Sequence, residues 1–193
     1  MSENVFSLAA VILSGGKGER MRGQDKGLIE IEGKPMVATT VELATNFTQT
    51  VAISYNRNQA VYSKFGCDLL RDRVSNYQGP LAGIHSALLH YQNQFSHLLV
   101  LPCDTPMLSE ELVSKLVEAA RLNPTSICYL TTIDRPQFLH TVIPTQLNLS
   151  LSKWLEQGER AVYKWYRQQK TVEVIASGRE LELQNFNTQA DIK

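Results

Sequence analysis

This sequence predicts a single-domain α/β protein with a doubly wound, mostly parallel sheet and helices on both of its faces. Short apolar runs such as LAAVIL, TVAISY and HLLVLPCD recur along the chain and suit strands buried on both sides. Segments with helical spacing alternate with them, which is the pattern of crossover connections between parallel strands. No repeat, low-complexity stretch or linker divides the 193 residues, a length that one core can organise.

The elements follow in order. Residues 8–13 (LAAVIL) form the first strand, ahead of a glycine-rich loop. Gly33-Lys34-Pro35 opens a helix over about 36–46, with Pro35 near its first turn, where a missing N–H costs nothing. Strands follow at 50–55 and 67–71. In 79–93 (GPLAGIHSALLHYQN), Leu81, Ile84, Leu88 and Tyr91 share one helical face. The strand at 97–104 ends near Pro102, and Ser109 caps a helix over 109–122 with acidic residues in its first turn. Strands near 126–132 and 138–143, a helix over about 145–157, a short helix near 161–167 and a last strand at 171–176 complete the chain.

Composition narrows the function. Nineteen basic residues balance nineteen acidic ones, so no strongly electropositive surface for nucleic acid is expected. The three cysteines, Cys67, Cys103 and Cys128, are widely spaced and form no CxxC pair, which suits a reducing compartment rather than a zinc site or disulfide framework. LAAVIL is too short for a membrane span and lacks the basic flank of a signal peptide. The expected setting is the cytoplasm, without a membrane or nucleic-acid partner.

The loop after the first strand carries the chemistry. A Walker loop needs GxxxxGK[ST]; Gly18 and Gly23 have the spacing, but Gln24-Asp25 follows. A dinucleotide fingerprint needs GxGxxG; Gly16 and Gly18 begin one, but Met21 stands at the third glycine. The second strand ends in Ser54-Tyr55-Asn56, with no acid for a ribose. What remains is LxGGxGxRMxGxDKGL. Gly15, Gly16 and Gly18 let backbone N–H groups approach phosphate oxygens, while Arg20 and Lys26 supply charge. A solvated surface loop is the alternative; glycine density, strand context and cation placement together favour a nucleoside triphosphate.

In LPCDTPML (101–108), Asp104 stands between a buried strand and a proline-marked turn. Magnesium often takes only one or two carboxylates, with phosphate oxygens as further ligands. Asp104 could instead cap the turn; the glycine loop in the same chain favours the ion.

The blocks LSGGKGERMRGQDKGL, ISYNRN, LRD before NYQGPLAGI, LPCDTP, LEQGERAV and NFNT span nearly the whole chain. With them the sequence resembles the molybdenum cofactor guanylyltransferases (MobA-type), within the Rossmann-like nucleotidyltransferases. The resemblance implies transfer of GMP from GTP to the phosphate of molybdopterin, with Mg2+ as cofactor. It also implies that Leu13, Ser14 and Gly15 contact the nucleotide, Lys26 its phosphates, Asn56 and Asp72 the guanosine, and Asp104 the magnesium. Gly79 and Gly83 match a glycine turn lining the pocket, and Asn185 and Asn187 a C-terminal pair near the active site. Ser14 replaces a usual alanine, and Arg22 stands where glycine is common, so the loop is stiffer or gains a phosphate contact.

The N-terminal half is expected to hold the nucleotide and the C-terminal half the acceptor. In GERAVYKWYRQQK (158–170), Arg160 and Arg167 stand among aromatics and suit an anionic, planar pterin; a solvated basic helix face is the alternative. A monomer is expected, with molybdenum cofactor biosynthesis proteins and recipient molybdoenzymes as partners. Related cytidylyl- or sugar-nucleotide transferases, and an accessory protein without turnover, are the competing functions. His85, His90, His97 and His140 lack a supported ligand spacing and are read as packing or surface residues, and Cys103 as a small buried one. Trp154, Trp165 and Tyr166 are read as helix packing, unless Trp165 or Tyr166 borders a ring-binding surface.

Overall fold

A computed structural model of the chain describes residues 5–14, 25–71 and 79–186. Along these run β1 (Leu8–Leu13), β2 (Glu30–Ile31), β3 (Lys34–Pro35), α1 (Met36–Thr45), β4 (Val51–Tyr55), α2 (Gln59–Tyr62) and β5 (Asp68–Arg71). Then come α3 (Pro80–Tyr91), β6 (His97–Pro102), α4 (Glu110–Leu122), β7 (Ile127–Thr131), β8 (Pro136–Pro144), α5 (Asn148–Glu156), α6 (Val162–Tyr166) and β9 (Thr171–Ile175).

Seven strands form one sheet in the order β5-β4-β1-β6-β8-β7-β9. All run parallel except β8, which is antiparallel to both neighbours. The chain leaves β1 toward β4 and β5, then crosses by α3 to β6 on the other side of β1. That reversal is the topological switch point, and ligands of such sheets bind beyond the carboxyl ends of the strands beside it.

β1 explains why a continuous apolar run was needed. Ala10 and Ile12 face one layer, with Val37, Val41, Leu112 and Leu116 from α1 and α4. Ala9 and Val11 face the other, with Leu81, Ile84 and Leu88 of α3, Leu151 of α5 and Trp165 of α6. Each fully buried aliphatic side chain contributes about 1.5–3 kcal/mol. Ser109 caps α4, its Oγ accepting from the Leu112 N–H, with Glu110 and Glu111 in the first turn. Among the described residues no helix is long and apolar enough to cross a membrane.

Several local features depart from the sequence reading. The hairpin β2–β3 turns through Glu32 and Gly33, both at positive φ, and delivers the chain from the Lys26 turn into α1. α2 starts at Asn58, which takes a left-handed conformation. The expected 145–157 helix begins as a 3₁₀ turn, Thr145–Leu147. β8 is longer than expected and reversed in sense.

Candidate active site

The carboxyl ends of three strands are tied together at the switch point. The Ser14 N–H donates to the Ser54 carbonyl at 3.0 Å and the Cys103 N–H to the Leu13 carbonyl at 3.2 Å. Lys26 opens a 3₁₀ turn, Lys26–Leu28, and its ammonium pairs with the Asp104 carboxylate beyond β6. The Phe186 N–H donates to the Asp104 carbonyl at 2.8 Å, which brings Asn185 to the same place. These groups border a cavity of about 540 Å³.

A buried hydroxyl network holds the Lys26 turn against β1. Tyr62 of α2 donates to Asp25 Oδ1 at 2.6 Å, and its hydroxyl lies 2.8 Å from Ser14 Oγ. Asn58 Nδ2 donates to the other Asp25 oxygen at 3.0 Å. Burial, then the Asp25 hydrogen bond, raises the Tyr62 pKa, so the phenol stays protonated and keeps donating. Gly27 sits where the turn meets this network. A Cβ there would stand 1.9 Å from Ser14 Oγ and 2.7 Å from Tyr62 OH. Gly27→Ala is therefore expected to cost about 1–3 kcal/mol and several degrees of Tm. Thermal unfolding checks this; an unchanged Tm would show that the turn yields freely. Gly83 plays a similar part for α3, because its Cβ would meet Ser54 Oγ at 2.5 Å.

The model of the MobA-like NTP transferase domain matches residues 10–172 of this chain. The chain belongs to that family. The molybdenum cofactor guanylyltransferase of Histophilus somni (strain 2336) is 35% identical over 187 residues, covering 97% of this chain and 95% of its own. That of Shewanella sp. (strain MR-4) is 36% identical over 183 residues, covering 95% and 92%. Among solved structures, molybdopterin-guanine dinucleotide biosynthesis protein A from Archaeoglobus fulgidus superposes with a TM-score of 0.78 at 20% identity, over 95% of this chain and 94% of that one. A 4-diphosphocytidyl-2C-methyl-D-erythritol synthase from Anaerococcus prevotii gives 0.75 at 14%, over 97% and 93%. The two structures show the fold; the family shows that the chain is a nucleotidyltransferase.

Of the residues singled out in the sequence, Leu13, Ser14, Lys26, Gly79, Gly83, Asp104 and Asn185 line the cavity of this MobA-like transferase. Asn56 follows β4 at the same sheet edge but is not among the lining residues, and its Nδ2 is buried without a hydrogen-bond partner among the described residues. Arg160 donates to the carbonyls of Leu155 and Glu159, closing the end of α5, and the Arg167 guanidinium lies 5.4 Å from the Tyr163 ring centre. Neither arginine lines the cavity. Gly15, Gly16, Gly18, Arg20, Arg22, Asp72 and Asn187 lie outside the described residues. Sequence reasoning missed Ser54 and the β8 segment Gln137 to His140, which also line the cavity, and the Tyr62–Asp25 brace.

The neighbouring candidates for acid–base or nucleophilic work are silenced by burial. Burial pushes the Cys103 thiol up to about 12, so it is not a thiolate at neutral pH. Burial lowers the His140 imidazole to about 3, leaving it neutral, and its Nε2 lies 2.9 Å from Thr105 Oγ1. Trp165 and Tyr166 are fully packed. A divalent ion fits the donor set nonetheless. Asp104 is the acidic side chain lining the cavity among the described residues, and its carboxylate, 16% exposed, offers the hard oxygens such an ion takes.

Proposed function

We propose that this enzyme transfers GMP from GTP to the terminal phosphate of molybdopterin, releasing pyrophosphate, with Mg2+ held by Asp104. The observation that carries the reading is the Lys26–Asp104 pair at the switch point, on the wall of a cavity of about 540 Å³. The full-length likeness to molybdenum cofactor guanylyltransferases supports the choice of substrates.

An acceptor phosphate oxygen attacks the α-phosphorus, and the bond to the β-phosphate bridging oxygen breaks as pyrophosphate leaves. The acceptor is a phosphate monoester with a second pKa of about 6, so it reaches the site largely ionised and no general base is required. A neutral His140 and a protonated Cys103 agree with that chemistry. What the step needs is alignment and neutralisation of the charge on the α-phosphate and the leaving pyrophosphate. Lys26 supplies that charge from a turn braced by Tyr62 and Asp25. Bound magnesium would add charge neutralisation at the same phosphates. Arg20, Gly15, Gly16 and Gly18 of the loop, and Asp72 on the guanosine side, join this site in our reading.

Asn56, whose buried amide nitrogen has no hydrogen-bond partner among the described residues, reads the guanine edge, since an amide offers both donors and an acceptor. An unmet polar group of this kind costs about 1–3 kcal/mol, which a bound base would recover. Free thiols at Cys67, Cys103 and Cys128 suit work in the cytoplasm. In this reading the enzyme works as a monomer that passes its product to recipient molybdoenzymes.

Steady-state assays with each nucleoside triphosphate, Mg2+ and molybdopterin test the reading. GTP is expected to be used at least about tenfold better than ATP or CTP, a difference of about 1.4 kcal/mol. Equal use of CTP would move the enzyme to the cytidylyl transferases.

A further inference from the structure

Strand β8 is interrupted where it meets the cavity. Its pairing with β6 ends at Val100↔Thr141, although β6 continues to Pro102. Its pairing with β7 jumps from Tyr129↔Thr141 to Leu130↔Gln137. Phe138, Leu139 and His140 thus have no partner opposite them, and they bulge out of the ladder. In a regular strand alternate side chains point to opposite faces. Here the consecutive residues Gln137, Phe138, Leu139 and His140 all line one cavity, at the place where the regular ladder is broken. Bulges beside active sites re-aim side chains in this way.

The bulge is held firmly. His140 is anchored on Thr105, next to Asp104. The Phe138 carbonyl accepts from Tyr166 OH at 3.0 Å, and its ring packs edge-on to Tyr166 at 5.6 Å and tilted on Tyr129 at 5.1 Å. Gln137 differs from these anchored neighbours. It is partly buried, yet its amide has no side-chain hydrogen bond to a described residue. Lys26 is the cation among the described lining residues, and it belongs to the Asp104 side. The bulge therefore offers an apolar, aromatic wall whose polar groups, the Gln137 amide and the neutral His140 imidazole, carry no charge, which suits a ring and not a phosphate.

We propose that the bulged segment of β8 is the acceptor subsite, where the wall at Phe138 takes the face of a planar, nitrogen-rich heterocycle and the Gln137 amide bonds its amino–oxo edge. This deepens the proposed transfer to molybdopterin and rests on it. The nucleotide lies across the Lys26–Asp104 pair, toward Ser54 and Gly83, so the two substrates meet with their phosphates between them. The apolar and aromatic bulge, and not the arginines of the 158–170 segment, selects the pterin.

Gln137→Leu and Gln137→Glu test the subsite, with molybdopterin titrated directly onto each protein as well as assayed kinetically. Loss of one or two neutral hydrogen bonds is expected to weaken molybdopterin binding about tenfold in Gln137→Leu. GTP affinity and Tm should stay within about twofold and 2 °C of wild type. Gln137→Glu, which keeps an acceptor, should fall between the two. Unchanged molybdopterin affinity in Gln137→Leu, or a matching loss of GTP affinity, would overturn the subsite while leaving the transfer reaction standing. A wild-type enzyme that neither binds molybdopterin nor releases pyrophosphate in response to it would overturn both.

Discussion

Replacing Lys26 with alanine is expected to lower kcat/KM by about 100-fold or more, the scale of losing one preorganised charge stabiliser. The ammonium is positioned by its turn before substrate arrives. Gly27 lies against Ser14, and Asp25, next in sequence, is held by Tyr62 and Asn58. A group fixed in this way pays little reorganisation when charge develops on the α-phosphate and the leaving pyrophosphate. The kinetics distinguish two roles. A fall in kcat marks transition-state stabilisation, whereas a rise in KM alone would reduce Lys26 to uniform binding of the phosphates.

Asp104→Asn is expected to cost as much or more while leaving the fold intact. The fold should survive because the Phe186 N–H bonds the Asp104 backbone carbonyl and not the carboxylate. The amide keeps the shape of the side chain but removes the charge that pairs with Lys26 and that, in the proposed function, holds a hard divalent ion. Turnover measured against Mg2+ concentration should therefore collapse, with Tm close to that of wild type. Full activity at ordinary Mg2+ would contradict the assignment of Asp104 to the ion.

The central strands were legible because a strand buried on both faces must be apolar throughout, as β1 is. The glycine loop with DKGL and PCDTP likewise marked the nucleotidyltransferase family in the sequence. Other features left no local trace. The two-residue strands β2 and β3 are too short to show periodicity. The Ser14–Tyr62–Asp25 network joins residues far apart in sequence, and only the close approach at Gly27 required a particular residue type. Basic and aromatic residues around Arg160 and Arg167 suggested an anion-binding face. In a helix as short as α6, composition does not say which side chains turn inward, and Arg160 instead closes α5. The β8 bulge is a fault in pairing register, a property of two strands together that neither sequence segment displays alone.

The most direct test of the account is mass-spectrometric identification of the product formed from GTP, Mg2+ and molybdopterin, with pyrophosphate counted in the same reaction. Molybdopterin guanine dinucleotide and pyrophosphate are expected in equal amounts, both lost when either substrate is omitted. Pyrophosphate released without a dinucleotide, or a dinucleotide carrying another base, would contradict it.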